Sequence, residues 1–220
     1  VGQLAHFDLT GLADRFGLRS FIETGTGRGD SLAYACRFSP PLTRLHSCEV
    51  HPALAAAAVS RFAGNPLVQV HSLRSTAFLD RLLPVLPDRP ALFWLDAHFP
   101  GADYGLAPYD ATLDPAVRLP LRSELDLIHL LRPLAASRDV ILIDDARIWL
   151  DLPFGSGPLP DDIRPLCPAA RDIAFVQDLF NDTHDIHVDL SHEGYVMLTP
   201  REPPSATGRP RSLLAAETVG

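Results

Sequence analysis

The residues best suited to chemistry in this 220-residue chain are carboxylates that follow apolar runs. "ALFWLDAH" (91 to 98) ends in Asp96 and His98, and "DVILIDDAR" (139 to 147) carries Asp144 and Asp145. If the two runs are neighbouring strands, three acids meet at one edge of a pocket, where they repel unless protons or a cation intervene. Oxygen-only ligation with room for water suits Mg²⁺, with Ca²⁺ and Mn²⁺ as the other choices, so Asp96, Asp144 and Asp145 are the candidate metal ligands. The alternative is that these acids cap helices or pair with Arg147 and Arg122. His98, with an ordinary pKa near neutrality, is the first candidate for a general base, and Asp96 is the second if it holds no metal. An equal alternative is that His98 only caps the strand end.

A second feature lies upstream, in "FIETGTGRGDSLAYA" (21 to 35), where Gly25, Gly27 and Gly29 alternate behind Glu23. A dinucleotide fingerprint reads G-x-G-x-x-G, and its third glycine lets helix and strand approach closely. Here position 30 is Asp. Glycines let a ligand approach the backbone, and the acid before them suits a cationic group better than a pyrophosphate. Glu49 follows another apolar run, 20 residues after Gly29, where an acid can accept hydrogen bonds from ribose hydroxyls.

The elements that must position these groups alternate in type. "SFIE", "RLHSCEV", "LVQVHS", "ALFWLDAH" and "DVILIDDAR" read as strands. "DSLAYACRF" (with Asp30 or Ser31 as cap), "HPALAAAAVSRFA", "STAFLDRLLPVL" and "LRSELDLIHLLRPLA" read as helices. Such βα repeats call for a parallel sheet with right-handed crossovers, and the continuous apolar runs suit strands covered on both faces. Ligands of such sheets bind beyond the carboxyl ends of the strands, where the acids and glycines stand. Residues 1 to 19 read as a helical lead-in. Residues 99 to 120, with Tyr104, Tyr109, Asp103, Asp110 and Asp114, read as a lid loop over the pocket or a plain surface loop. "IAFVQDLF", "HDIHVDL" and "EGYVMLT" read as strands, the last two forming an antiparallel hairpin at the sheet edge. Residues 201 to 220 read as a disordered tail, leaving a single domain over 1 to 200. His184 and His187 fall on opposite faces of a strand and so do not form a zinc site. Trp94 and Trp149 read as core or pocket wall.

Composition removes several classes. All 19 basic residues are Arg, so lysine chemistry is excluded, and a net charge of -8 argues against nucleic acid as a partner. Three cysteines, Cys36, Cys48 and Cys167, are too few and too irregular for a disulfide framework or a zinc site, which suggests a reducing cytoplasm. No run approaches the roughly 20 apolar residues of a membrane span.

The spacing Glu23-x-Gly25-x-Gly27-x-Gly29 resembles the first motif of class I S-adenosylmethionine-dependent methyltransferases. The paired "LDAH" and "IDDAR" ends narrow this to metal-dependent O-methyltransferases acting on sugars of macrolide and aminocoumarin antibiotics. A bacterial branch with "WLDAH" and "ILIDDAR" segments and a Pro-Leu-x-x-Glu-Leu stretch is similar too; here that stretch is Pro120 to Leu125. The resemblance spans roughly residues 20 to 200. It implies a doubly wound, Rossmann-like α/β fold with a seven-stranded sheet and a C-terminal antiparallel hairpin. It further implies S-adenosyl-L-methionine held by Glu23, Gly25, Gly27, Gly29, Glu49, Ser75 and Asp96, with Glu49 on the ribose. Arg74 stands where such proteins often place an acid for adenine, which leaves Ser72, Ser75 or backbone for that task. The expected function is metal-assisted O-methylation of a small hydroxylated acceptor, and a homo-oligomer is compatible with it. The rival readings are a cofactor-binding module without transfer activity and a Rossmann oxidoreductase, the latter disfavoured by Asp30.

Overall fold

A computed structural model describes residues 3–38, 41–110, 114–132 and 138–201. After a 3-10 turn at Leu4–His6, the elements run α1 (Leu9–Phe16), β1 (Ser20–Thr24), α2 (Asp30–Ala35), β2 (Arg44–Glu49), α3 (Pro52–Phe62) and β3 (Val68–Ser72). There follow α4 (Ser75–Leu82), β4 (Ala91–Leu95), α5 (Pro115–Arg118), α6 (Leu121–Leu131), β5 (Val140–Ile143), α7 (Ala174–Phe180), β6 (His184–Asp189) and β7 (Tyr195–Pro200). The seven strands form one sheet in the order β3-β2-β1-β4-β5-β7-β6, parallel except for β7, which is antiparallel to both β5 and β6. The hairpin therefore closes the sheet edge as expected.

Both sheet faces are covered, which explains the unbroken apolar runs. Ile22, Phe93, Ile141 and Ile143 join the core beneath α4, α6 and α7, while Phe21, Leu45, Leu92, Trp94 and Leu142 join that beneath α1 and α2. No helix among the described residues is long and apolar enough to cross a membrane.

Strand order reverses between the parallel neighbours β1 and β4, since β1 leads outward to β2 on one side and pairs with β4 on the other. Register then sets the functional ends level. Thr24 lies opposite both Cys48 and Leu95, and Asp144 N–H bonds the Leu95 carbonyl at 3.0 Å. Gly25, Glu49, Asp96 and Asp144 accordingly emerge together at one edge of the sheet.

Two local expectations are corrected. "IAFVQDLF" forms helix α7, because its buried positions Val176 and Phe180 follow the buried N-cap Ile173 at a 3-then-4 spacing that fits a helix and not a strand. The Ala174 N–H is met by Asp172 Oδ1 at 3.0 Å. Helix α2 is capped by neither Asp30 nor Ser31; its N-cap is Gly29, in the left-handed region at φ 81°. Within 99 to 120, residues 99–110 and 114–120 are described and include α5. The disordered tail expected over 201 to 220 lies, beyond residue 201, outside the described residues.

At the opposite edge of the sheet, Arg132 grips Asp139 in two bonds of 2.7 and 2.9 Å and reaches the Arg89 carbonyl at 2.9 Å. Asp139 also accepts the Ala91 N–H at 2.8 Å, which ties the starts of β4 and β5 together. Both side chains are almost wholly buried, at 2% and 0% exposure. Truncating one partner strands the other's charge, so Arg132→Ala is expected to lower unfolding free energy by about 3–5 kcal/mol in urea titration.

Candidate active site

The strand ends surround a cleft of about 670 Å³. Its floor is Gly25, Gly27 and Asp96, with Glu49 and Val50 on one side and Leu73, Arg74 and Ser75 beside them. His98, Asp145 and lid residues including Gly101, Asp103 and Tyr104 form the other side. Of the residues assigned to the cofactor from sequence, Gly25, Gly27, Glu49, Ser75 and Asp96 line this cleft; Glu23 and Gly29 do not.

Gly25 sits at φ 84°, and a Cβ there would lie 2.7 Å from the Asp96 carbonyl carbon and 3.0 Å from Ala97 N. The turn can abut the end of β4 only because no side chain intervenes. Gly27, at φ 52°, is covered by the Tyr104 hydroxyl of the lid, and Arg28 stacks its guanidinium 5.4 Å from the Tyr104 ring centre.

The donors of this turn are all engaged within the chain. Gly25 and Thr26 N–H both reach the Cys48 carbonyl at 3.0 Å, Gly27 N–H donates to Glu49 Oε2 at 2.9 Å, and Gly29 N–H donates to the Thr26 carbonyl at 2.7 Å. The Arg28 N–H faces the Tyr104 hydroxyl. A pyrophosphate cradle needs such N–H groups free, so this turn is not an anion nest. What faces the cleft instead is carboxylate: Glu49, Asp96, Asp103 and Asp145. Glu49 is itself aimed by backbone, since Gly27 and His51 donate to its two oxygens at 2.9 and 2.8 Å.

Glu23 departs from its expected place. It shares a sheet face with Phe21 and lies opposite Ser47, whose hydroxyl donates to it at 2.5 Å. Thr26 extends that chain to Ser47 at 2.5 Å. Glu23 is thus fully buried beneath the glycine turn, and burial, against the Ser47 bond, pushes its carboxyl well above the ordinary range. It braces the turn from beneath and does not line the cleft. Arg74, which occupies the usual position of an adenine-binding acid, is exposed at the rim and lies 3.8 Å from Asp114, the N-cap of α5.

The acids after β4 and β5 separate. His98 Nε2 lies 3.1 Å from Asp96 Oδ1 and 2.8 Å from Asp145 Oδ2, and among the described residues these three alone converge closely enough to share an ion. Asp144, expected in that set, turns the other way: its Oδ1 accepts the Asp145 N–H at 2.8 Å and its side chain is buried behind the cleft. The left-handed conformation of Asp145 (φ 50°) turns that residue toward the cleft.

Two acids flank His98, the candidate base. Burial opposes its charge, but Asp145 and Asp96 outweigh burial and hold the imidazole well above its ordinary pKa. Asp145, which burial would raise, is held below its ordinary range by His98 and Arg147. Burial raises Asp96, and burial with the charges of Asp96 and Asp145 raises Asp144 strongly. The two acids thus favour the protonated imidazole of His98, and burial favours the protonated carboxyl of Asp144.

Two residues of this region escape a sequence reading. One is Tyr104, legible as part of a lid but not as the cover of Gly27. The other is Glu124, buried at 1% exposure on α6 among Leu121, Leu125 and Ile128. Its signal is an acid set in the apolar stripe of a helix. Burial pushes Glu124 up to about 7, with the Ser75 and Thr24 hydroxyls opposing. Because the folded value lies above the unfolded one, its contribution is fully present below about pH 4.5 and is lost as pH rises through about 7. Glu124→Gln is thus expected to be more stable than wild type at pH 8, by on the order of 3 kcal/mol, and to melt at higher temperature there, with the gain vanishing at pH 4.5. Paired thermal melts at the two pH values measure it.

Sheet order, hairpin and cleft position together define a class: this is the fold of class I S-adenosylmethionine-dependent methyltransferases. No protein-family model and no curated protein sequence matches the chain. Among solved structures it is similar to a provisionally named caffeoyl-CoA O-methyltransferase from Staphylococcus aureus, with TM-score 0.58 and 12% identity over 91% of this chain and 85% of the other. It is also similar to the O-methyltransferase TomG from Streptomyces achromogenes, involved in tomaymycin synthesis and solved with S-adenosylmethionine, at TM-score 0.51 and 18% identity over 90% and 78%. A methyltransferase from Geobacter sulfurreducens gives TM-score 0.51 and 12% identity over 92% and 80%.

Proposed function

We propose that this chain is an S-adenosylmethionine-dependent O-methyltransferase acting on a small hydroxylated acceptor such as a sugar or natural product. The observation that carries the reading is the glycine turn with every donor from Gly25 to Gly29 engaged, facing a cleft edged by carboxylates. That surface suits a cationic sulfonium ligand and repels a pyrophosphate. Glu49, with both oxygens aimed by backbone, is the group for the ribose hydroxyls, and Ser75 lies on the side left for adenine.

Asp96, Asp145 and His98 Nε2 fit a divalent ion in number and convergence, with His98 in the place given to Asp144 from sequence. Two carboxylates and an imidazole suit Mn²⁺, Fe²⁺, Co²⁺ or Zn²⁺ better than the all-oxygen preference of Mg²⁺. When bound, such an ion would lower the pKa of the acceptor hydroxyl and align it for in-line attack on the methyl group. Ligation needs an unprotonated Nε2, and Asp145 and Asp96 raise the pKa of that imidazole against burial, so affinity should rise with pH.

The second reading, a cofactor-binding module without transfer, is favoured by the contacts that His98 Nε2 makes with both acids, which give them a partner within the chain. A panel of vicinal diols and catechols, scored by S-adenosylhomocysteine release with and without Mn²⁺ and Mg²⁺, separates the two. Release above the no-acceptor rate supports transfer; S-adenosylmethionine binding with no release from any acceptor supports the module.

A further inference from the structure

A cleft edged by Glu49, Asp96, Asp103 and Asp145 attracts the sulfonium and ammonium groups of the proposed cofactor but repels its α-carboxylate. That carboxylate needs a donor, because an anion placed among acids without one is unfavourable. The glycine turn cannot supply it: the N–H groups of Gly25, Thr26, Gly27 and Gly29 are engaged within the chain. Of the side chains that line the cleft among the described residues, Arg74, Ser75, His98 and Tyr104 carry an N–H or O–H. Arg74 is an exposed rim residue 3.8 Å from Asp114, Ser75 faces Glu124, and His98 Nε2 lies between Asp96 and Asp145. Tyr104 is left to donate.

Its placement suits that task. Tyr104 ends the short lid turn Ala102–Tyr104, and the Leu106 N–H closes the segment onto the Gly101 carbonyl at 3.0 Å. The hydroxyl sits directly over Gly27, where an added Cβ would meet it and would lie 2.7 Å from the ring carbon Cζ. The Arg28 N–H faces the same oxygen, and the Arg28 guanidinium packs 5.4 Å from the ring centre. A hydroxyl that accepts through its oxygen still has its own proton to give. Burial, followed by the charge of Asp96, pushes the phenol up to about 12, so the proton is kept at neutral pH. The adjacent acid, Asp103, is met by the Tyr109 hydroxyl. We infer that Tyr104 is a cofactor-binding residue whose hydroxyl, held over the glycine turn, donates to the α-carboxylate of S-adenosylmethionine and selects the carboxylate-bearing form of that sulfonium. The inference rests on the proposed function for the identity of the cofactor.

The test is calorimetric titration of the full chain, wild type and Tyr104→Phe, with S-adenosylmethionine and with its decarboxylated counterpart, the same sulfonium ending in a primary amine. The variant keeps the ring against Arg28 and removes only the hydroxyl. S-adenosylmethionine should bind Tyr104→Phe at least ~10-fold more weakly than wild type, as for a lost hydrogen bond to a charged group, while the decarboxylated compound binds both proteins within about twofold. An unchanged or tighter affinity of the variant for S-adenosylmethionine, or an equal loss for both compounds, overturns the role of Tyr104 and leaves the proposed function standing. Should Tyr104→Phe fail to fold, wild type decides: tighter binding of the carboxylate-bearing compound supports the donor, and an equal or reversed preference, which the acids alone would impose, overturns it. Wild type that binds neither compound overturns the proposed function, and the inference with it.

Discussion

Gly25→Ala is expected to weaken S-adenosylmethionine binding at least ~100-fold and to lower stability by about 3 kcal/mol. Two effects add at this position. The backbone is in the left-handed region, at φ 84°, where an L side chain is strained. The new Cβ would also meet backbone, the Asp96 carbonyl carbon at 2.7 Å and Ala97 N at 3.0 Å, and not the movable end of a side chain. Relief requires the turn to lift away from β4, which moves Gly27 off Glu49 and Asp96 off His98. Calorimetric titration gives the affinity and urea unfolding gives the stability. A variant that binds within a few-fold of wild type would show that the turn does not hold the cofactor. Gly29, whose added Cβ would meet the Phe62 and Arg61 side chains outside the cleft, is the control: substitution there should destabilise with a smaller loss of affinity.

Asp145→Asn should separate binding from transfer. Asparagine tolerates the left-handed conformation at φ 50° and has the shape of aspartate, so the backbone can stay in place. The charge 2.8 Å from His98 Nε2 is lost, and Asp96 remains at 3.1 Å. His98, now held above its ordinary pKa by both acids against burial, then falls from its wild-type value. We expect kcat to fall at least ~100-fold with the cofactor dissociation constant within about twofold of wild type. An NMR titration of the imidazole should show the shift downward. A kcat within threefold of wild type would remove Asp145 and its pairing with His98 from the proposed chemistry.

Much of the fold was legible because continuous apolar runs such as "ALFWL" and "VILI" are buried on both faces, and acids or glycines mark where each run stops. The hairpin was legible from alternation in β6, where His184 is buried and His187 exposed. Helix α7 was misread because "IAFVQDLF" is short, and its apolar residues satisfy either period until burial of Ile173, Val176 and Phe180 decides. The site was legible as a set of acids but not as directions. Glu23 faces Ser47 under the turn because its parity along β1 matches Phe21, and this was readable from the pleat alone. Which of Asp144 and Asp145 enters the cleft depends on one left-handed residue after the strand, and no spacing announces that. The state of His98 depends on two carboxylates, one of them 47 positions away, and so emerges only when β4 and β5 are paired.

Isothermal titration of the purified chain with S-adenosylmethionine and, separately, with NAD⁺ decides whether this turn and cleft hold a cationic sulfonium nucleotide. One-to-one binding of S-adenosylmethionine in about the micromolar range, with no heat from NAD⁺, is expected. Binding of NAD⁺ without binding of S-adenosylmethionine would overturn the assignment.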